Sequence, residues 1–262
     1  MCPIAARGQG IINPAISGNV VTAQIQLPGG LSADLSLTFE QPTGLDLNTL
    51  GLSATLANPD LLATQGRLPG SGLVSLPSAF PVLLRVSPTG TSTLAFHGVY
   101  SISLHTENLP YSATTPLRLF KAPDGGTFND ITEATAPGSY RVRGAGGTFS
   151  EFLILTDLRN LDSVINQKFN DLQAILDWNA QAIDPAVLSV LRNRLTEART
   201  AYASGSIATS KQKIRDFMDM VAGHSGTDIP DVWRANSNLV NVAGLLRSAA
   251  STLTFSLNLK VG

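Results

Sequence analysis

The sequence predicts an α+β protein: an antiparallel β-sandwich followed by a four-helix subdomain, with a C-terminal strand rejoining the sandwich. Three observations predict it. Short apolar or alternating runs separated by glycine and proline turns fill the chain up to Asp157, with strict period two over Leu31–Phe39, as in strands with one buried face. From Asn160 the spacing becomes that of amphipathic helices. Leu253, Phe255, Leu257, Leu259 and Val261 then alternate with Thr254, Ser256, Asn258 and Lys260, a strand pattern again. The predicted boundaries are a flexible lead-in over 1–18, a sandwich over 19–157, helices over 158–251 and the terminal strand over 252–262.

The first strand reads from Val20 to Leu27 and is closed by Pro28-Gly29-Gly30. Leu31 to Phe39 alternates strictly, and the short link makes the two a hairpin. A turn and strand follow over Leu45–Ala57, then a long irregular connection from Asn58 to Phe80. Val82–Val86 is a short apolar strand between prolines. Thr93–Leu104 is another, with a phase shift near Gly98 that marks a bulge or bend. Three or four more strands fall between Thr115 and Asp157, separated by Asp124-Gly125-Gly126 and by a glycine-rich turn over Gly144–Gly147. Phe152, Leu153, Ile154 and Leu155 are consecutive and apolar, which requires burial on both faces.

Four helices are expected next. Asn160 caps the first, whose stripe is Leu161, Val164, Ile165, Phe169, Leu172, Ile175 and Leu176. Asp184-Pro185 starts the second, because the proline's missing N–H costs nothing in a first turn. The third spans Ala208–Ala222, and the fourth is placed from Pro230. A lone terminal strand cannot pair with itself. It either returns to the sandwich or joins another copy of the chain, so an oligomer is possible.

Composition limits the function classes. Charged residues make up 14% of 262, against about 25% in an average globular protein. Up to Asp157 there are 7 basic and 10 acidic residues, and after it 11 and 9. Neither part is basic enough to follow a phosphate backbone, so nucleic acid is not expected as a partner. No apolar run reaches the length of about 18 residues read as a transmembrane helix. The single cysteine, Cys2, allows no internal disulfide and reads as a spare thiol; a lipidation site has no lipobox before it. Low charge and little cysteine lean toward a secreted or periplasmic protein whose signal peptide is absent from this sequence.

Chemistry is sparse. His97 and His105 lack a third ligand of the kind zinc needs. Gly223-His224-Ser225-Gly226-Thr227 approaches a nucleophile elbow, but it ends in Thr and follows a helix, so it reads as a cap and turn. Asp124, Asn129 and Asp130 offer oxygens to calcium, but their spacing does not match the EF-hand loop and suits a hairpin. Arg141 and Arg143 share one strand face near Glu151 on the next strand; the trio is the candidate ligand site, for a carboxylate or a sugar. Trp178 and Trp233 read as packing residues. No cofactor is expected, and no catalytic residue is selected.

One resemblance is carried by Pro116-Leu117-Arg118-Leu119-Phe120-Lys121-Ala122-Pro123, Phe128-Asn129-Asp130-Ile131-Thr132, Gly138-Ser139-Tyr140-Arg141-Val142-Arg143-Gly144 and Gly147-Thr148-Phe149-Ser150-Glu151-Phe152-Leu153-Ile154. Arg67-Leu68-Pro69 and Phe80-Pro81-Val82-Leu83-Leu84 add to it. These stretches resemble a family of functionally uncharacterised, secreted bacterial proteins. The resemblance implies export after signal cleavage and no assigned activity. The apolar spacing over about 185–250 resembles the FIMAH-type helical module. The expected function is non-enzymatic binding of a protein or glycan partner. The alternatives are a carbohydrate-binding or carbohydrate-active protein, and self-assembly through the terminal strand.

Overall fold

The computed structural model describes residues 10–260 other than Ser71 and Asn238. Cys2 and Val261 therefore lie outside the described residues. The strands are β1 (Ile11–Ser17), β2 (Val20–Leu27), β3 (Leu31–Phe39), β4 (Leu52–Leu56), β5 (Val74–Ser75), β6 (Val82–Val86) and β7 (Ala95–His97). They continue with β8 (Tyr100–Thr106), β9 (Leu117–Ala122), β10 (Asn129–Asp130), β11 (Thr132–Ala136), β12 (Tyr140–Gly146), β13 (Glu151–Asp157) and β14 (Val232–Arg234). Short helices α1 (Leu47–Leu50) and α2 (Pro59–Thr64) precede four long ones: α3 (Leu161–Trp178), α4 (Pro185–Ala203), α5 (Ile207–Gly223) and α6 (Val242–Leu259).

One sheet runs β1-β2-β3-β8-β12-β11, the other β10-β9-β13-β6-β4, and β5 also pairs with β13. The strand pairings within both are antiparallel. Their facing residues, among them Leu35, Leu37, Phe39, Ile102, Leu119, Phe152 and Ile154, make the main core. Leu153 and Leu155 point the other way, into a smaller cluster with Leu62, Phe120 and Phe128. β13 is thus central and buried on both faces, as its unbroken apolar run requires.

The helices enclose a second core, with Phe169, Leu191, Phe217, Leu246, Leu253 and Leu257 among its members. The expected caps are present: Asn160 accepts from the Asp162 and Ser163 amides, and Asp184 from those of Ala186 and Val187. α6 joins the two cores at close range. A side chain on Gly244 would sit 2.1 Å from the Gly98 carbonyl oxygen, and one on Gly147 2.8 Å from the Gly244 backbone. Asn241 Nδ2 donates to Gly98 O at 2.5 Å and to Gly147 O at 3.3 Å. Arg247 grips Glu40 with two nitrogens at 2.7 and 2.8 Å.

Four expectations are corrected. The terminal segment is not a strand; Leu253 to Leu259 belong to α6. Leu253 and Leu257 face the helical core, while Phe255 lies on the sandwich side, 5.3 Å from the Arg118 guanidinium. Both sides of the helix are covered, and that produces an alternation resembling a strand. The fourth helix begins at Val242, not Pro230, because the chain first returns to the sandwich as β14. There Trp233 stacks on Phe96 at 5.3 Å. The lead-in contains β1, an edge strand whose register shifts between Ile12 and Ala15, where Pro14 has no N–H to give. The glycines from 144 to 146 stay in β12, since a side chain on Gly144 would meet Ile131 O at 2.6 Å.

Candidate functional site

The expected trio does not assemble. Arg141 and Arg143 project from β12 in the β1-β2-β3-β8-β12-β11 sheet; Arg143 lies 3.6 Å from Glu133, and Arg141 is exposed opposite His105. Glu151 is in the other sheet. It is buried between Arg67 and Arg85, the latter at 2.5 Å. Arg67 also donates to Gly126 O at 2.9 Å and lies 4.8 Å from the Phe128 ring centroid. Burial pushes the Glu151 carboxyl up, but its bonds to both arginines outweigh this and hold it below its ordinary value. The arrangement ties the connection after α2 to β13 and uses the carboxylate fully.

The three oxygens weighed for calcium also diverge. Asp124 is exposed and pairs with Arg85 at 3.0 Å, and the Asn129 amide donates to Thr127 O. Asp130 faces inward and meets Lys168 at 2.6 Å, both side chains being buried. Lys168 Nζ also donates to Thr252 Oγ1 at 2.7 Å and Ser256 Oγ at 2.9 Å. Burial raises the Asp130 carboxyl, but the Lys168 charge and hydrogen bonds from Lys168 and Thr132 overcome it and keep it ionised. This buried node joins β10, α3 and α6. Among the described residues no group of three or more His, Cys, Asp or Glu could hold a metal. The turn after α5 is fixed by His224 Nδ1 against Asp228 at 2.6 Å.

The most distinctive concavity lies where sandwich and helices meet. It is a cleft of about 530 Å³ between β9, β10 and β12, the Thr148–Ser150 connection, and the facing sides of α3 and α6. Ile131, Phe149, Ile175, Leu245 and Ala249 supply apolar wall. Trp178 stands on its rim with 83% of its surface exposed, so it is not the packing residue expected from its position at a helix end. Lys121 lines the interior. On β9 it follows Leu117 and Leu119 on the face turned to the main core, at the end where the core opens.

Lys121 Nζ donates to Thr148 Oγ1 at 2.9 Å and to Thr148 O. Among the described residues it forms no ion pair. Desolvation in this apolar setting brings the ammonium down to about 7. The bare Cα of Gly146 makes the room: a side chain there would lie 2.6 Å from Tyr100 Oη and 3.0 Å from Lys121 Nζ. Sequence reasoning passed over Lys121. Its one signal was a lysine in register with Leu117 and Leu119, on a core-facing position.

A family model for proteins of unknown function, DUF6689, matches residues 2–260. The chain belongs to that family. Curated proteins give no match. Among solved structures, the CBM51-2 and INT domains of Clostridium perfringens ZmpB align over 80% of this DUF6689 chain and 54% of theirs, with 12% identity and a TM-score of 0.18. The same domains with GlcNAc align over the same shares, with 13% identity and a TM-score of 0.18. The chain therefore spans about half the length of those structures. At that TM-score the likeness carries no argument about fold or ligand. Among the described residues no helix is long and apolar enough to cross a membrane.

Proposed function

We propose that this DUF6689 protein is a non-enzymatic binding protein that seats a small, largely apolar ligand in the cleft between its sandwich and its helices. The observation that carries the reading is an exposed tryptophan on the rim of a concave surface with apolar walls, and Lys121 among the polar groups that line it. Ligand sites are mostly apolar, with a few placed polar groups. The sparing use of charge and cysteine supports an exported, cell-envelope setting, as does the resemblance to secreted bacterial proteins; cell fractionation of the source organism tests it. A carbohydrate ligand is the second reading, favoured by Trp178 alone, whose ring offers a flat face to a sugar. Assembly through a terminal strand is withdrawn, since that segment is α6.

A titration with the neutral apolar dye Nile red tests the reading. Saturable binding of one dye per chain, abolished by Ala249→Trp in a variant that still folds, is expected. Equal binding by both proteins would overturn it. Quenching of Trp178 by glycans, with no dye binding, would put the carbohydrate reading in its place.

A further inference from the structure

We propose that the ligand of this cleft is an amphiphile whose single anionic oxygen head is bound by Lys121 while its apolar tail runs along Phe149, Ile175, Leu245 and Ala249 toward Trp178. The inference rests on the cleft reading above and names the chemistry of its ligand. An ammonium has three N–H donors. Thr148 takes two through its carbonyl and hydroxyl oxygens, and the third has no acceptor among the described residues. Two of the other charged groups lining the cleft are paired with each other. Asp130 and Lys168 compensate each other at 2.6 Å. Asp171 forms no ion pair among the described residues but accepts from Gln167 at 2.7 Å, and burial holds its carboxyl above the ordinary value against the smaller pull of Gln167, Lys168 and Arg159. Tyr100, whose ring lies 5.8 Å from Nζ, stays neutral because burial pushes its phenol up. A cation left without a counter-charge beside an apolar wall is completed by an anion with an apolar body.

An anion at Nζ also favours the charged amine, so binding above about pH 7 draws in a proton. Decanoate and decanol are the probes, measured by calorimetry and Trp fluorescence. Wild-type protein is expected to bind decanoate roughly tenfold or more tighter than decanol, the range of a charge-assisted hydrogen bond. Lys121→Met should erase that preference and leave decanol affinity within a few fold, and Lys121→Arg should keep part of it. Independently of any variant, calorimetry on wild-type protein at about pH 8, in two buffers of different ionisation heat, should show net proton uptake with decanoate and none with decanol. Equal affinity for the two probes, or no proton uptake, overturns the anionic head and leaves the cleft reading standing. Nile red binding without either probe overturns the amphiphile. Failure of dye and probes together overturns both readings.

Discussion

Two lysines line the same cleft in opposite circumstances. Lys168 is surrounded by a carboxylate, two hydroxyls and a backbone carbonyl. Lys121 has one threonine and no counter-charge. A buried charge is tolerated when it is paired and fully hydrogen-bonded. Lys168 meets that condition and so belongs to the scaffold, where it joins β10 to α3 and α6. Lys121 is half-buried and has one threonine as partner, and its remaining donor is what a ligand can take up. Satisfaction of donors, more than burial alone, separates the fastening from the site.

The contrast is sharpened first by removing the fastening. Lys168→Met leaves Asp130 buried without a partner, and equilibrium urea unfolding should show a loss of about 3–5 kcal/mol. A loss under about 1 kcal/mol would mean the node is not structural. Next comes the close seam beside it. Gly244→Ala forces a methyl to within 2.1 Å of Gly98 O and should cost about 1–3 kcal/mol by overpacking, read from the same unfolding curves.

Lys121 should behave in the opposite sense. Its folded value near 7 lies below the ordinary 10.5, so the unfolded chain binds more protons between those limits and stability rises with pH across them. Lys121→Met should therefore be more stable than wild type near pH 7, read from urea unfolding, with the gain fading toward about pH 10.5. Carboxylates give the other limb. Asp130 and Glu151 are both held below their ordinary values, 3.8 and 4.5. Their stabilisation is complete above those values and is lost as pH falls through the lower folded ones, so thermal midpoints should drop below about pH 4. Trp178→Ala, at an exposed rim position, should change stability by no more than about 0.5 kcal/mol while weakening dye binding.

Much of the fold was legible because its causes are local. The alternation of Leu31–Phe39 and the unbroken run Phe152–Leu155 gave a half-buried and a fully buried strand, and both are found so. Asn160 and Asp184-Pro185 placed two helix starts through cap chemistry that needs no tertiary partner. Legibility failed where an element has two buried sides of different character. In α6, Thr252 and Ser256 are buried because they bond Lys168, so the polar half of the period was not a solvent face at all. The helical spacing of Leu246, Ala250, Leu253 and Leu257, behind the Asn241 cap, was the available signal. Glu151 was grouped with Arg141 and Arg143 as a ligand site, whereas the structure pairs it with Arg67 and Arg85. Arg67 is 84 residues away in the chain and Arg85 66, and adjacency in sequence pointed to Arg141 and Arg143 instead. The cleft itself is made by α3 and α6 closing over β9 and β12, which no single stretch encodes.

The ionisation of one amine, that of Lys121, is the most direct test. Heteronuclear NMR of lysine side chains, with Lys121 assigned by its absence in Lys121→Met, reads that amine across pH. The expected midpoint is about 7 in the free protein, moving upward when decanoate is added. A midpoint at the ordinary 10.5, unmoved by decanoate, would contradict the claim that Lys121 waits in an apolar cleft for an anion.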